Sequence, residues 1–147
     1  SGWAGWNPGP DGPWWKWMIY DPCCIPVCNE ETAWSDGFRY LTRGNWATYT
    51  AYTGVAKSET LYAGQTMEAG TVYFTPAGAY VQIDIEFNEG WGLQDVEEAV
   101  KVQGYKAAPV NVSPIPGSFT TYKGNDLSII VPAFNFYGVH VDAQICK

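Results

Sequence analysis

Val81, Ile83, Ile85 and Phe87 are apolar, and Gln82, Asp84 and Glu86 between them are polar. An extended chain sends successive side chains to opposite faces, whereas a helix returns to one face about every 3.6 residues. Strict alternation over this stretch therefore specifies a strand with one face in a core and the other in water. Val139, Val141, Ala143 and Ile145 against His140, Asp142 and Gln144 repeat the pattern, and Val100-Lys101-Val102-Gln103 does so briefly. Trp46 to Thr53 and Thr71 to Thr75 are rich in β-branched and aromatic residues, which fit a pleated surface. Leu127 to Val131 is a mostly apolar run closed by Pro132, predicting a strand buried on both sides. Turn signals such as Glu68-Ala69-Gly70 and Pro76-Ala77-Gly78 separate these segments at spacings of about 8–12 residues. Only Trp91 to Val100 has helical character, and Gly90 and Gly92 weaken it. Ala107 to Gly117 holds three Pro and reads as a long surface loop. The expected fold is all-β, an antiparallel β-sandwich built from one domain over residues 19–147.

Residues 1–18, SGWAGWNPGPDGPWWKWM, stand apart, with five of the chain's eight Trp, four Gly and three Pro. Pro and Gly exclude a helix and interrupt any sheet ladder, so an extended N-terminal strap is expected. Trp3, Trp6, Trp14, Trp15 and Trp17 each offer about 150–250 Å² of burial-prone surface. Left in water, such a segment is a large apolar liability. It is expected to dock on its own body or on a neighbouring copy.

Eight Lys and Arg against 15 Asp and Glu give a net charge of −7 and a pI near 4.5, with no basic cluster. That balance argues against nucleic acid and against anionic membrane surfaces as partners. No apolar run approaches the ~20 residues of a membrane-spanning helix. The aromatic fraction of 16% matches the charged fraction, a composition that folds rather than staying disordered.

Four cysteines, Cys23, Cys24, Cys28 and Cys146, point to disulfides in an oxidising compartment. Cys24-x-x-x-Cys28 with Cys146 and His140 is the rival zinc reading, and it is the weaker one because the second pair would sit on a single strand. A bond from Cys146 to the 23–28 cluster would close a loop of nearly the whole chain, worth about 4–5 kcal/mol by loop entropy. Spacing alone leaves Cys23, Cys24 and Cys28 all open as its partner. Asn111-Val112-Ser113 has the N-glycosylation pattern, but Pro114 follows it directly, and a plain polar loop is the favoured reading. The chain opens on Ser-Gly-Trp rather than Met, which reads as a mature protein after leader removal. The expected location is extracellular or at the cell surface.

Glu31-Thr32-Ala33-Trp34 follows a Cys, and Gly44-Asn45-Trp46-Ala47-Thr48-Tyr49 comes next. Leu61-Tyr62-Ala63-Gly64-Gln65, Ala69-Gly70-Thr71-Val72 and Gly90-Trp91-Gly92-Leu93 continue the series. Pro116 to Lys123 and a closing His140-Val141-Asp142-Ala143-Gln144-Ile145-Cys146 complete it. In these motifs, taken in order over residues 28–146, the chain resembles a family of secreted bacterial and archaeal cell-surface modules of unassigned activity. The resemblance implies an exported β-sandwich in which the Cys before the Glu-Thr-Ala-Trp motif pairs with the C-terminal one, here Cys28 with Cys146. It implies no catalytic residue and does not reach the strap.

Catalytic constellations are sparse. His140 is the sole imidazole, no G-x-S-x-G elbow is present, and the nearest serine context is Gly117-Ser118-Phe119 in a Pro-rich loop. His140 is expected to hydrogen-bond on a sheet face. Asp84 and Glu86 share a strand face at about 6–7 Å, a spacing open to a glycosidase pair and equally to a solvated face. Together with Glu89, Asp95, Glu97 and Glu98 they are the one acidic group open to calcium, though it has no D-x-D-x-D-G loop. No other cofactor and no enzymatic activity is expected. Two functions remain: a structural protein that self-associates into a surface layer or filament through its strap, and a polysaccharide-binding module. In the second, the aromatic platforms would come from Trp3, Trp6, Trp14, Trp15, Trp17, Trp46 and Trp91.

Overall fold

The structure is a computed structural model that describes residues 27–146. The strap of 1–18, with Trp3, Trp6, Trp14, Trp15 and Trp17, lies outside the described residues, as do Cys23 and Cys24. Among the described residues eleven strands form one antiparallel sheet. They are β1 (Cys28–Ser35), β2 (Phe38–Arg39), β3 (Thr48–Ala51), β4 (Lys57–Ala63), β5 (Met67–Ala77), β6 (Tyr80–Phe87), β7 (Trp91–Leu93), β8 (Val100–Tyr105), β9 (Tyr122–Gly124), β10 (Ser128–Pro132) and β11 (Phe136–Cys146). The hydrogen-bonded path runs β10-β6-β5-β4-β1-β11-β3-β2.

β11 is the spine. β8 pairs along Phe136–Val141 and β7 along Ala143–Ile145 on one edge. On the other edge β1 takes His140–Cys146 and β3 takes Phe136–Tyr137. β1 reaches β4 only through Ala33, Trp34 and Ser35, and this narrow seam is where the sheet folds over on itself. Val72, Phe74, Val81, Ile83, Ile129 and Val131 of the β5, β6 and β10 half then share one core with Val100, Val102, Tyr137, Val139 and Val141 of the β8 and β11 half. Phe74 and Tyr137, on strands that are not sheet neighbours, bring their rings to 5.9 Å. The two layers of the sandwich are thus halves of one continuous sheet. The alternation at 81–87 and 139–145 is what makes this possible, because it gives each half one apolar face.

A second cluster closes the other end: Trp34, Tyr40, Ala47, Tyr49 and Phe119. The loop between β8 and β9 crosses it, tied down where the Asn111 N–H donates to the Tyr40 carbonyl at 2.8 Å, and it ends in a short 3-10 turn at Pro116–Ser118.

Two local expectations differ from the fold. The apolar run at 127–131 is not buried on both sides: Ile129 and Val131 enter the core, whereas Ile130 is 65% exposed. Ile130 projects from the face opposite the shared core, while Ile129 and Val131 alternate to the inner face. The stretch from Trp91 to Val100 contains no helix. Gly90 takes a φ of 88° and turns the chain so that Trp91–Leu93 pairs with Ala143–Ile145 instead.

Candidate functional site

Cys28 and Cys146 are bonded, joining the first residue of β1 to the last of β11 across 118 residues. This is the pairing implied by the sequence resemblance.

A cleft of about 240 Å³ opens at the Trp34–Tyr40 end of the sandwich, lined by Asp36, Gly37, Arg39, Trp46, Thr48, Tyr62 and Gln65. Its floor is fixed by backbone. The Asp36 N–H donates to the Thr60 carbonyl at 2.8 Å, and the Asp36 carbonyl accepts the Thr50 hydroxyl at 2.7 Å. The Thr48 hydroxyl donates to the Ser35 carbonyl, and the Ser35 and Thr50 hydroxyls lie 2.7 Å apart. Gly37 is required here, since a Cβ would fall 2.0 Å from the Tyr49 carbonyl oxygen.

The polar lining stands on this floor. Asp36 Oδ1 accepts the Gly37 N–H at 2.9 Å, leaving Oδ2 without a protein partner among the described residues. Arg39 Nη2 donates to the Asn45 carbonyl at 3.1 Å, which aims the guanidinium while most of its donors stay free of the described residues. Asp36 and Arg39 form no ion pair with each other among the described residues, where the pairs are Lys57–Glu59, Lys101–Asp142 and His140–Asp142. Trp46 and Tyr62 are half-buried and supply the apolar walls. Gln65 sits in the β4–β5 turn at a φ of 80°, a conformation that disfavours a non-Gly residue and persists where surrounding structure imposes it.

Of these residues only Trp46 was singled out by sequence reasoning. Asp36, Arg39, Tyr62 and Gln65 come from four elements or turns, and although Tyr62 and Gln65 share the Leu61–Gln65 motif, nothing in it marked them as a site. Trp91, the other platform on the body, packs against the main core and pairs with Ile145, away from the cleft lining.

His140 does not make the sheet-face hydrogen bond expected of it among the described residues. It is 7% exposed, its ring meets the edge of Trp34 at 4.9 Å, and its Nδ1 has no hydrogen-bond partner among the described residues. Burial pushes the imidazole down to about 4, partly countered by the Asp142 carboxylate 3.9 Å away, with Lys101 adding to the depression. No serine accompanies it in a hydrogen-bonded arrangement among the described residues. Asp84 accepts the Gln82 amide at 3.1 Å, and Glu86 accepts the Tyr73 hydroxyl at 3.2 Å. Each carboxylate is thus held by a neighbour on its own sheet face, and among the described residues no three His, Cys, Asp or Glu side chains converge as metal ligands. Asn111 is exposed with a φ of 59°, a left-handed conformation that Asn tolerates better than most residues.

Among the described residues no helix is long and apolar enough to cross a membrane. No family model, no curated protein and no solved structure matches the chain.

Proposed function

We propose that the chain is an exported, non-enzymatic structural module that associates with copies of itself through its Trp-rich N-terminal segment. The observation that carries this reading is the open edge at β10. Leu127 O accepts from the Ile85 N–H and Ala79 O accepts from the Ala133 N–H, so the odd-numbered residues of this strand point their backbone groups at β6. Those of Ser128 and Ile130 therefore point outward, and Pro132 falls where a missing N–H costs the ladder nothing.

Exposed edges are usually kept short or charged. β2, with two residues, and β9, with three including Lys123, follow that rule. β10, Ser-Ile-Ile-Val-Pro, has five residues and no charge, and it displays Ile130. An uncharged edge with free backbone groups can accept the stretch of the leader that lacks Pro and Gly, Trp14-Trp15-Lys16-Trp17-Met18, by strand addition. Contact of this head-to-tail kind propagates into a filament when the rotation does not close. The Cys28–Cys146 bond, suited to an oxidising exterior, fixes the start of β1 to the end of β11.

Light scattering on three proteins tests the reading: the full chain, the chain without residues 1–18, and Ile130→Lys. The full chain is expected to form large particles and both variants monomers. Particles that survive loss of the leader defeat the proposal. Particles that survive Ile130→Lys alone remove β10 as the acceptor.

A further inference from the structure

We infer that the cleft between the β1–β2 turn and the β4–β5 turn is a binding site for a neutral pyranose unit of a polysaccharide. This does not rest on the self-association reading, because the described lining residues all belong to the body and the argument uses no others.

The lining combines two kinds of surface. Trp46 and Tyr62 present partly exposed aromatic walls, suited to the apolar C–H face of a sugar ring while their own polar tips stay wet. Asp36 and Arg39 present a planar acceptor and a planar donor, the pair that matches vicinal hydroxyls, each of which both donates and accepts. Gln65 adds an amide, both donor and acceptor, to the lining. Ligand sites typically pair an apolar wall with a few placed polar groups, and at about 240 Å³ this one falls below the ~300–1,000 Å³ of pockets that enclose a drug-sized molecule. It suits one ring held against an open wall, with the remainder of a glycan chain left in solvent.

Charge selects within the sugars. One carboxylate and one guanidinium leave the lining neutral, and the chain as a whole carries −7. A uronate or sulfated ring would meet Asp36 and the surrounding negative field, so an uncharged pyranose is the fitting class. The polar groups are also set before any ligand arrives. Asp36 is fixed through its N–H, carbonyl and Oδ1, and Arg39 through Asn45. Preorganisation of this sort reduces the ordering cost of binding.

Saturation-transfer NMR on the full chain reads binding whether or not the protein assembles. The probes are methyl β-glucopyranoside, methyl α-mannopyranoside, methyl β-galactopyranoside and, as the charged comparison, methyl β-glucopyranosiduronate. At least one neutral glycoside is expected to receive saturation on its ring C–H protons, with a signal at least fivefold above that of the uronate. Trp46→Ala is expected to lower that signal at least fivefold. Arg39→Ala, an exposed position whose loss leaves the core intact, is expected to lower it at least threefold with an unchanged melting temperature. Absence of saturation for every neutral glycoside overturns the inference. So does a signal that survives Arg39→Ala and falls only in a Trp46→Ala protein that has lost its fold. A signal that persists in both variants and vanishes when residues 1–18 are removed assigns sugar contact to the leader and likewise overturns it.

Discussion

Cys28 and Cys146 stand directly opposite one another on β1 and β11, with Cα atoms 4.0 Å apart at a sequence separation of 118. The bond ties together two strands that are already paired along their length. Its main effect is therefore on the unfolded chain, where it closes a loop of nearly the whole body.

For a loop of this size, chain entropy gives about 5 kcal/mol of stabilisation. Reduction, or the double substitution Cys28→Ala with Cys146→Ala, is expected to lower the urea midpoint. The dependence of stability on urea should also steepen, because the unfolded chain expands once the loop is opened. Equal midpoints with and without reductant would show that the bridge adds nothing beyond strand pairing.

His140 gives the body a pH dependence with a definite sign. Burial lowers its pKa from 6.5 to about 4, so the folded state resists a proton that the unfolded state accepts. Above pH 6.5 the imidazole is neutral in both states and its contribution to stability is fully present. As pH falls from 6.5 toward 4 that contribution is lost, by about 2–3 kcal/mol at pH 4.5. His140→Leu also removes the unpartnered Nδ1 from beside Trp34 and is expected to flatten this part of the profile. Urea titrations at pH 7.5 and 4.5 check it. If both proteins lose the same stability between the two pH values, the buried imidazole is not the cause.

Gly138 is a packing requirement set by a remote tyrosine. A Cβ there would lie 2.1 Å from Tyr40 Oη. That hydroxyl cannot retreat easily, since it lies 3.0 Å from Tyr105 Oη and its ring packs edge-on against Trp34, Tyr49 and Tyr105. Gly138→Ala is expected to cost about 1–3 kcal/mol as an overpacked core. The clash is with the hydroxyl, so Tyr40→Phe placed on top of Gly138→Ala should recover part of the loss. Thermal melts of the two single variants and the double variant measure that coupling. Strict additivity would locate the strain elsewhere.

Much of the fold was legible because strand character is written locally. The alternation at 81–87 and 139–145 needs no knowledge of partners, and both stretches became core strands whose apolar residues face inward. The run at 127–131 misled because apolar content does not say how many faces are covered. Ile130 is exposed because alternation along β10 sends it to the face opposite the core, while Ile129 and Val131 turn inward. The cleft was nearly invisible because Asp36, Arg39, Trp46, Tyr62 and Gln65 are gathered from separate stretches, and only the tryptophan stands out as a binding residue by its type.

The order of residues along this chain determined that it would be a β-protein and which side chains of its alternating strands would turn inward. Tertiary structure alone decided which strand is left at the edge and that one continuous sheet supplies both layers. Periodicity acts between residues a few positions apart and is fixed before the chain collapses. Register, edge position and cleft geometry depend on contacts between residues tens of positions apart, and those exist only once β11 has gathered β1, β3, β7 and β8 along its two sides.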